Sequence, residues 1–122
     1  LMSWGCGRLF EGSAAQMFET LQRFCELPDE TLVCSGHEYT EANGRFALSL
    51  EPENPNLLAR MAEVRETRAQ MRPTLPVELG LEKVTNPFLR GDDPALRAAL
   101  GLPANGTALE AFTEARVRKD RF

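Results

Sequence analysis

The sequence predicts a mostly α-helical fold with a short β remnant, and three observations carry that prediction. Apolar residues recur at helical spacing in about five segments, each opened by a capping residue or by a proline at the first helical position. A single run, Thr31-Leu32-Val33-Cys34, has the apolar, partly β-branched character of a buried strand. Prolines and glycines punctuate the chain between these segments, with no internal repeat and no low-complexity tract.

The elements follow in order. Leu1 to Trp4 is apolar and offers the one other strand candidate before the glycine-rich turn Gly5-Cys6-Gly7. Ser13 and Gln16 have capping-box spacing, and Ala14, Met17, Leu21 and Phe24 or Cys25 recur behind them, which predicts a helix over about 14–26. Leu27-Pro28-Asp29 ends it, and the strand at 31–34 then delivers Gly36-His37-Glu38-Tyr39 to a loop. Thr40 caps a second helix with Ala42, Phe46, Ala47 and Leu50 inward, stopped by Glu51-Pro52. Asn54 and Pro55 open a third, with Leu57 or Leu58, Met61, Val64 or Arg65, Arg68 and Met71 at the repeating positions. The stretch from Thr74 to Phe88, with Pro76, Gly80 and Pro87, reads as mostly irregular. Asp93-Pro94 starts a short helix that Gly101 ends, and Thr107 with Glu110 opens the last one, where Leu109, Phe112, Arg116 and Lys119 share a side.

A chain of 122 residues holds one ordinary domain or a piece of a larger one. Hydrophobic residues make up 43% and charged residues 26%, enough for a core and for solubility. Fourteen Lys and Arg against 18 Asp and Glu give a net charge of −4, the wrong sign for broad capture of nucleic acid or anionic membrane. No apolar run approaches the roughly 18–20 residues of a bilayer span, and the opening lacks a signal-peptide pattern, so the expected setting is cytoplasmic. Three cysteines without a paired spacing make a disulfide framework improbable. The chain opens on Leu1 with no cap or turn before it, as the interior of a longer chain would. A strand apolar throughout also wants neighbours on both edges and layers on both faces, so the rest of its sheet is expected elsewhere.

Several residues carry possible chemistry. His37, the only histidine, follows the predicted strand, a position where folds of sheets and helices present catalytic groups or ligands. A closed zinc set from Cys34, His37 and Cys6 or Cys25 is conceivable but lacks the usual spacing. The Gly5–Gly12 turn permits close backbone approach and offers Arg8 to a carboxylate or phosphate, without the Lys-Ser/Thr ending of a phosphate loop. Arg116 and Lys119 lie one helical turn apart and can jointly hold an anion, or simply offset the helix dipole.

Taken together, Gly5-Cys6-Gly7-Arg8-Leu9-Phe10-Glu11-Gly12, Ser35-Gly36-His37-Glu38-Tyr39-Thr40, Asn86-Pro87-Phe88-Leu89-Arg90 and Arg116 to Asp120 closely resemble the glyoxalase II (hydroxyacylglutathione hydrolase) family, in its order and across essentially the whole chain. The resemblance is to the C-terminal half or so of such an enzyme. It implies the last elements of a metallo-β-lactamase αβ/βα sandwich, over residues 1–50, followed by a helical glutathione-binding domain over 51–122. The family hydrolyses S-lactoylglutathione and related thioesters with two metal ions, usually zinc, with iron or manganese possible. Metal-bound hydroxide attacks the thioester carbonyl, and the ions lower the pKa of the water and polarise the carbonyl.

Position by position, His37 resembles the family's last metal ligand. Arg8, Arg116 and Lys119 match the cations that hold the glycine carboxylate of glutathione, and Tyr39 matches a tyrosine that hydrogen-bonds its peptide. Phe10 stands where many members have a second tyrosine, keeping an aromatic wall without the hydroxyl. The family's Thr-His-x-His-x-Asp-His motif, its further histidine and its bridging aspartate have no counterpart among these residues. The resemblance therefore implies a thioester hydrolase whose remaining ligands lie in a missing N-terminal part, and a chain inactive by itself that tends to associate through exposed strand edges. A non-catalytic helical module that binds glutathione or a similar anion is the alternative.

Overall fold

The computed structural model describes all 122 residues. In chain order it contains α1 (Ala14–Cys25), β1 (Leu32–Val33), α2 (Thr40–Leu50), α3 (Pro55–Ala69), β2 (Val77–Glu78), α4 (Leu79–Thr85), a 3-10 turn (Pro87–Leu89), α5 (Pro94–Ala99) and α6 (Ala108–Arg121). No helix is long and apolar enough to cross a membrane.

The helix starts follow from their caps. Ser13 and Gln16 form the reciprocal capping box that opens α1. Asn54 accepts from Asn56 and Leu57 N–H ahead of Pro55, and Asp93 accepts from Ala95 N–H ahead of Pro94. Thr107 accepts from Glu110 N–H to open α6, and Gly101, at φ +72°, follows the end of α5 in the left-handed region that glycine tolerates.

Two apolar clusters hold the helices together. One joins Cys6, Leu21 and Phe46 to Phe88, Leu96, Leu100, Ala111, Phe112 and Ala115. In it the Phe112 ring meets Phe88 edge-on at 5.7 Å and Phe18 at 5.8 Å. The other gathers Ala47, Leu57, Met61 and Val64 around Trp4. Each cluster therefore joins residues from both sides of position 50.

The structure corrects several expectations. The strand at 31–34 shrinks to two residues that pair antiparallel with β2, Leu32 opposite Glu78 and Val33 opposite Val77. It is not buried: Leu32 is 57% exposed and Val33 only partly covered, in a sheet of just two strands. Leu1–Trp4 is no strand but a tight turn, closed by Met2–Gly5 backbone bonds, with Trp4 at φ +61°. The stretch 74–88 is largely ordered, since β2 runs straight into α4 and the turn at 87–89. Glycine and proline mark the boundaries of those short elements and not the absence of structure. Thr40 does not cap α2; Tyr39 occupies that place without a side-chain bond, and Thr40 is buried as the first helical residue. Met71 leaves the inner face of α3 because the helix stops at Ala69, and it stands 89% exposed at φ +57°.

Candidate functional site

One cleft, of about 710 Å3, gathers the residues singled out in the sequence. Its size lies within the range of small-molecule sites, roughly 300–1,000 Å3. Three segments wall it: the opening turn with Cys6, Gly7, Arg8 and Phe10; the loop into α2 with His37, Tyr39 and Asn43; and the end of α6 with Arg116, Lys119, Asp120 and Phe122.

The opening turn has no regular structure of its own, so buried polar groups hold it. Trp4 N–H donates to both carboxylate oxygens of Glu82 at 3.0 Å, and its indole N–H donates to the Thr85 carbonyl at 2.9 Å. Arg60 pairs with Glu82 at 2.5 Å, reaches Ser3 Oγ at 3.2 Å and lies over the Trp4 ring. Asn86 Nδ2 donates to the Gly5 carbonyl and to Glu82, both within 3.0 Å. Asn43 Nδ2 donates to the Ser3 carbonyl and packs so tightly that a Cβ at Gly5 would meet it at 2.8 Å. Only glycine fits there.

The second wall is tied down by Glu38. Its two carboxylate oxygens accept from Thr74 N–H at 2.6 Å and from the Thr74 hydroxyl at 2.7 Å, joining the loop to the connection after α3. His37 and Tyr39 stack at 4.9 Å, nearly parallel, on the exposed side of that clamp.

The three expected cations meet at this cleft but differ in state. Arg116 is buried and committed: it donates to the Cys6 carbonyl at 2.9 Å, to the Gly7 carbonyl at 3.3 Å and to Asp120 at 2.7 Å and 3.0 Å. Neither Arg8 nor Lys119 forms an ion pair. Lys119 Nζ sits between the rings of Phe46, at 5.4 Å, and Phe122, at 5.6 Å. Partial burial, followed by repulsion from Arg116, Arg45 and Arg8, pushes its pKa down, with Asp120 opposing. At the cleft floor, burial pushes the Cys6 thiol up in spite of the adjacent Arg116, so the thiol stays protonated and unreactive.

Phe10 borders the mouth, 87% exposed as a residue, and forms only a loose wall. The closed zinc set suggested by Cys34, His37 and Cys6 or Cys25 is not assembled, since no three His, Cys, Asp or Glu side chains converge anywhere in the fold. The sequence reading missed Asn43, Asp120 and Phe122. Asp120 was detectable as the carboxylate four residues after Arg116. Asn43 had only its place on the inner side of α2 as a signal, and Phe122 had none.

A family model described as hydroxyacylglutathione hydrolase C-terminus matches residues 38–122. Along its full length the chain is 67% identical to a hydroxyacylglutathione hydrolase of Rhodobacter capsulatus, 54% to one of Ruegeria pomeroyi and 55% to one of Bartonella tribocorum. Each match covers 48% of the relative, so the chain spans about half the length of the curated relatives it matches.

Proposed function

Because the chain belongs to the hydroxyacylglutathione hydrolase C-terminus family, we propose that it carries the glutathione-recognising part of an enzyme that hydrolyses S-lactoylglutathione and related 2-hydroxyacyl thioesters to glutathione and a 2-hydroxy acid. The observation that carries this reading is the pair of cations without carboxylate partners, Arg8 and Lys119, in one cleft with the exposed Tyr39 and His37. A ligand carboxylate supplies the missing counter-charge, and a cation held partly dry gains more from it than one in open water. Tyr39 is half exposed and has its hydroxyl available to donate to a peptide carbonyl of the ligand. Arg116 acts on the same carboxylate from behind, keeping the turn that bears Arg8 against α6.

His37 supplies one donor to a metal centre in this reading. The residues of this chain do not fit a dinuclear site by themselves, since a single imidazole stands alone and no cluster of further donors accompanies it. The remaining ligands, with zinc as the expected metal, belong to the part of the relatives that this chain does not span. Residues 1–50 then correspond to the end of the metallo-β-lactamase-fold domain and 51–122 to the helical domain, welded by the two shared clusters.

Calorimetric titration tests the reading. The chain should take up one glutathione, and Lys119→Met should weaken that binding by about tenfold or more, as expected for losing a charge-assisted contact. With added zinc it should show no turnover of S-lactoylglutathione. Absence of glutathione uptake, or metal-dependent turnover by these residues alone, refutes it.

A further inference from the structure

We propose that Asp120 is a positioning residue for anion capture: through Arg116 it latches the Cys6–Gly7 backbone onto α6, so a carboxylate in the cleft wall strengthens the binding of an anionic ligand. The inference rests on the glutathione reading of the cleft.

Asp120 looks misplaced at first. Its side chain is 48% exposed and lines a cleft whose free charges are cations, where Coulomb's law alone makes it an obstacle to an anion. Its bonding gives it another part. One oxygen, Oδ1, accepts from both Nε, at 3.0 Å, and Nη2, at 2.7 Å, of Arg116 one helical turn earlier. A guanidinium is planar and rigid, so gripping one edge fixes the direction of the other. That other edge, Nη1, donates to the Cys6 carbonyl at 2.9 Å and the Gly7 carbonyl at 3.3 Å, and touches Cys6 Sγ at 3.4 Å. The Phe88 ring supports the guanidinium at 5.1 Å.

The stretch from Cys6 to Arg8 belongs to no helix or strand, and a Cβ at Gly7 would touch nothing within 4 Å. Neighbouring packing therefore does little to place Gly7, and the Arg116 bonds do more. Arg8 follows Gly7 directly, while Lys119 lies three residues after Arg116 on the same helix. The Asp120–Arg116 latch thus sets the separation of the two unpaired cations. Without Asp120, Arg116 is free to swing toward the cleft and release the turn, and the two cations lose their common aim.

The sign of one substitution separates the latch from plain electrostatics. Asp120→Asn keeps the side-chain shape and an acceptor oxygen but removes the negative charge that strengthens both bonds to Arg116: Coulomb's law predicts tighter anion binding, and the weakened latch predicts weaker. Titration of the 122-residue chain with glutathione, at two near-neutral pH values, compares the wild type with D120N, D120E and E114Q. Glu114 is the control, since it pairs with Arg118 at 2.8 Å on the same helix but outside the cleft.

The expected result is that D120N binds about tenfold more weakly, D120E stays within a few-fold of wild type and E114Q is unchanged. Amide resonances of Cys6, Gly7 and Arg8 should move in D120N and stay put in E114Q. Equal or tighter binding by D120N overturns the proposal. So does a loss that grows with pH, which traces instead to the Lys119 ammonium. If the wild type takes up no glutathione, the reading of the cleft fails and the latch is judged by the resonances alone. Unmoved Cys6–Arg8 amides in D120N then overturn it, and displaced ones in a protein with wild-type circular dichroism uphold it.

Discussion

Glu82→Gln tests the buried polar cluster beneath the cleft. Glu82 is fully buried, and its two oxygens receive Arg60, the Trp4 N–H and Asn86 Nδ2. A carboxamide has nearly the same shape but only one acceptor oxygen, and its NH2 must face a donor, either Arg60 or Asn86. At least one buried donor is then orphaned, at a cost of about 1–3 kcal/mol. The Arg60 guanidinium, 3% exposed, also loses its only counter-charge. Breaking one side of such a pair costs about 3–5 kcal/mol in total, with the orphaned donor included. A chain of 122 residues has roughly 6–18 kcal/mol of stability to lose, so the change is severe without abolishing folding outright. Urea unfolding followed by the fluorescence of Trp4, the single tryptophan, reads both the midpoint and the surroundings of the turn. The unfolding free energy should fall by the amount stated, seen as a lower midpoint with the slope unchanged. Replacing both partners, Arg60→Met with Glu82→Gln, should recover part of the loss, because no charge is left buried alone and the amide oxygen still accepts from Trp4 N–H and Asn86 Nδ2. A single-variant loss below about 1 kcal/mol, or a double variant no better than the single, refutes this account of the cluster.

Three further outcomes follow from the same geometry. Gly44→Ala should destabilise by about 1–3 kcal/mol in a thermal melt, although alanine is the better helix former, because its Cβ would meet Met61 Cε and the Trp4 ring at 2.6 Å. For Asp93, burial opposes ionisation, but Arg90 at 2.7 Å and the Ala95 N–H outweigh it and hold the carboxyl below its usual range. Its stabilisation is therefore full above about pH 4 and lost as pH falls through the lowered value; Asp93→Ala should cost about 1–2 kcal/mol near neutrality in urea melts, with the gap closing in acid. Glutathione affinity should decline with rising pH through the lowered Lys119 pKa, earlier than an ordinary lysine near 10.4 would dictate, and calorimetry on Lys119→Arg should show that decline flattened.

The parts of the fold legible in the sequence are those decided locally. Ser13, Asn54, Asp93 and Thr107 announce helix starts because a cap acts within three residues of itself. α4 was hidden for the converse reason. It is seven residues long, begins with no side-chain cap and stands between Pro76 and Pro87, so its stability comes from contacts with α3, β2 and the following turn. The exposure of β1 was equally invisible, since an apolar run states a preference for burial and says nothing of what is there to bury it. Glu82 and Arg60 carry no local signal of burial in the sequence; their meaning arises only where Trp4 turns back beneath them.

The same limit governs the site. Sequence similarity brings Arg8, Arg116 and Lys119 forward as equals, three cations for one carboxylate, and all three do line the cleft. Their electrostatic states are not equal. Arg116 spends its donors on Asp120 and on two backbone carbonyls, whereas Arg8 and Lys119 have no carboxylate of their own. Charge left without an internal partner is the charge available to a ligand, and satisfied charge serves to aim it. On this argument, truncating Lys119 removes a contact and truncating Arg116 removes an alignment. Lys119→Met should therefore act on affinity with the fold intact, while Arg116→Met should also lower the melting temperature, because it leaves the Cys6 and Gly7 carbonyls without their buried donor.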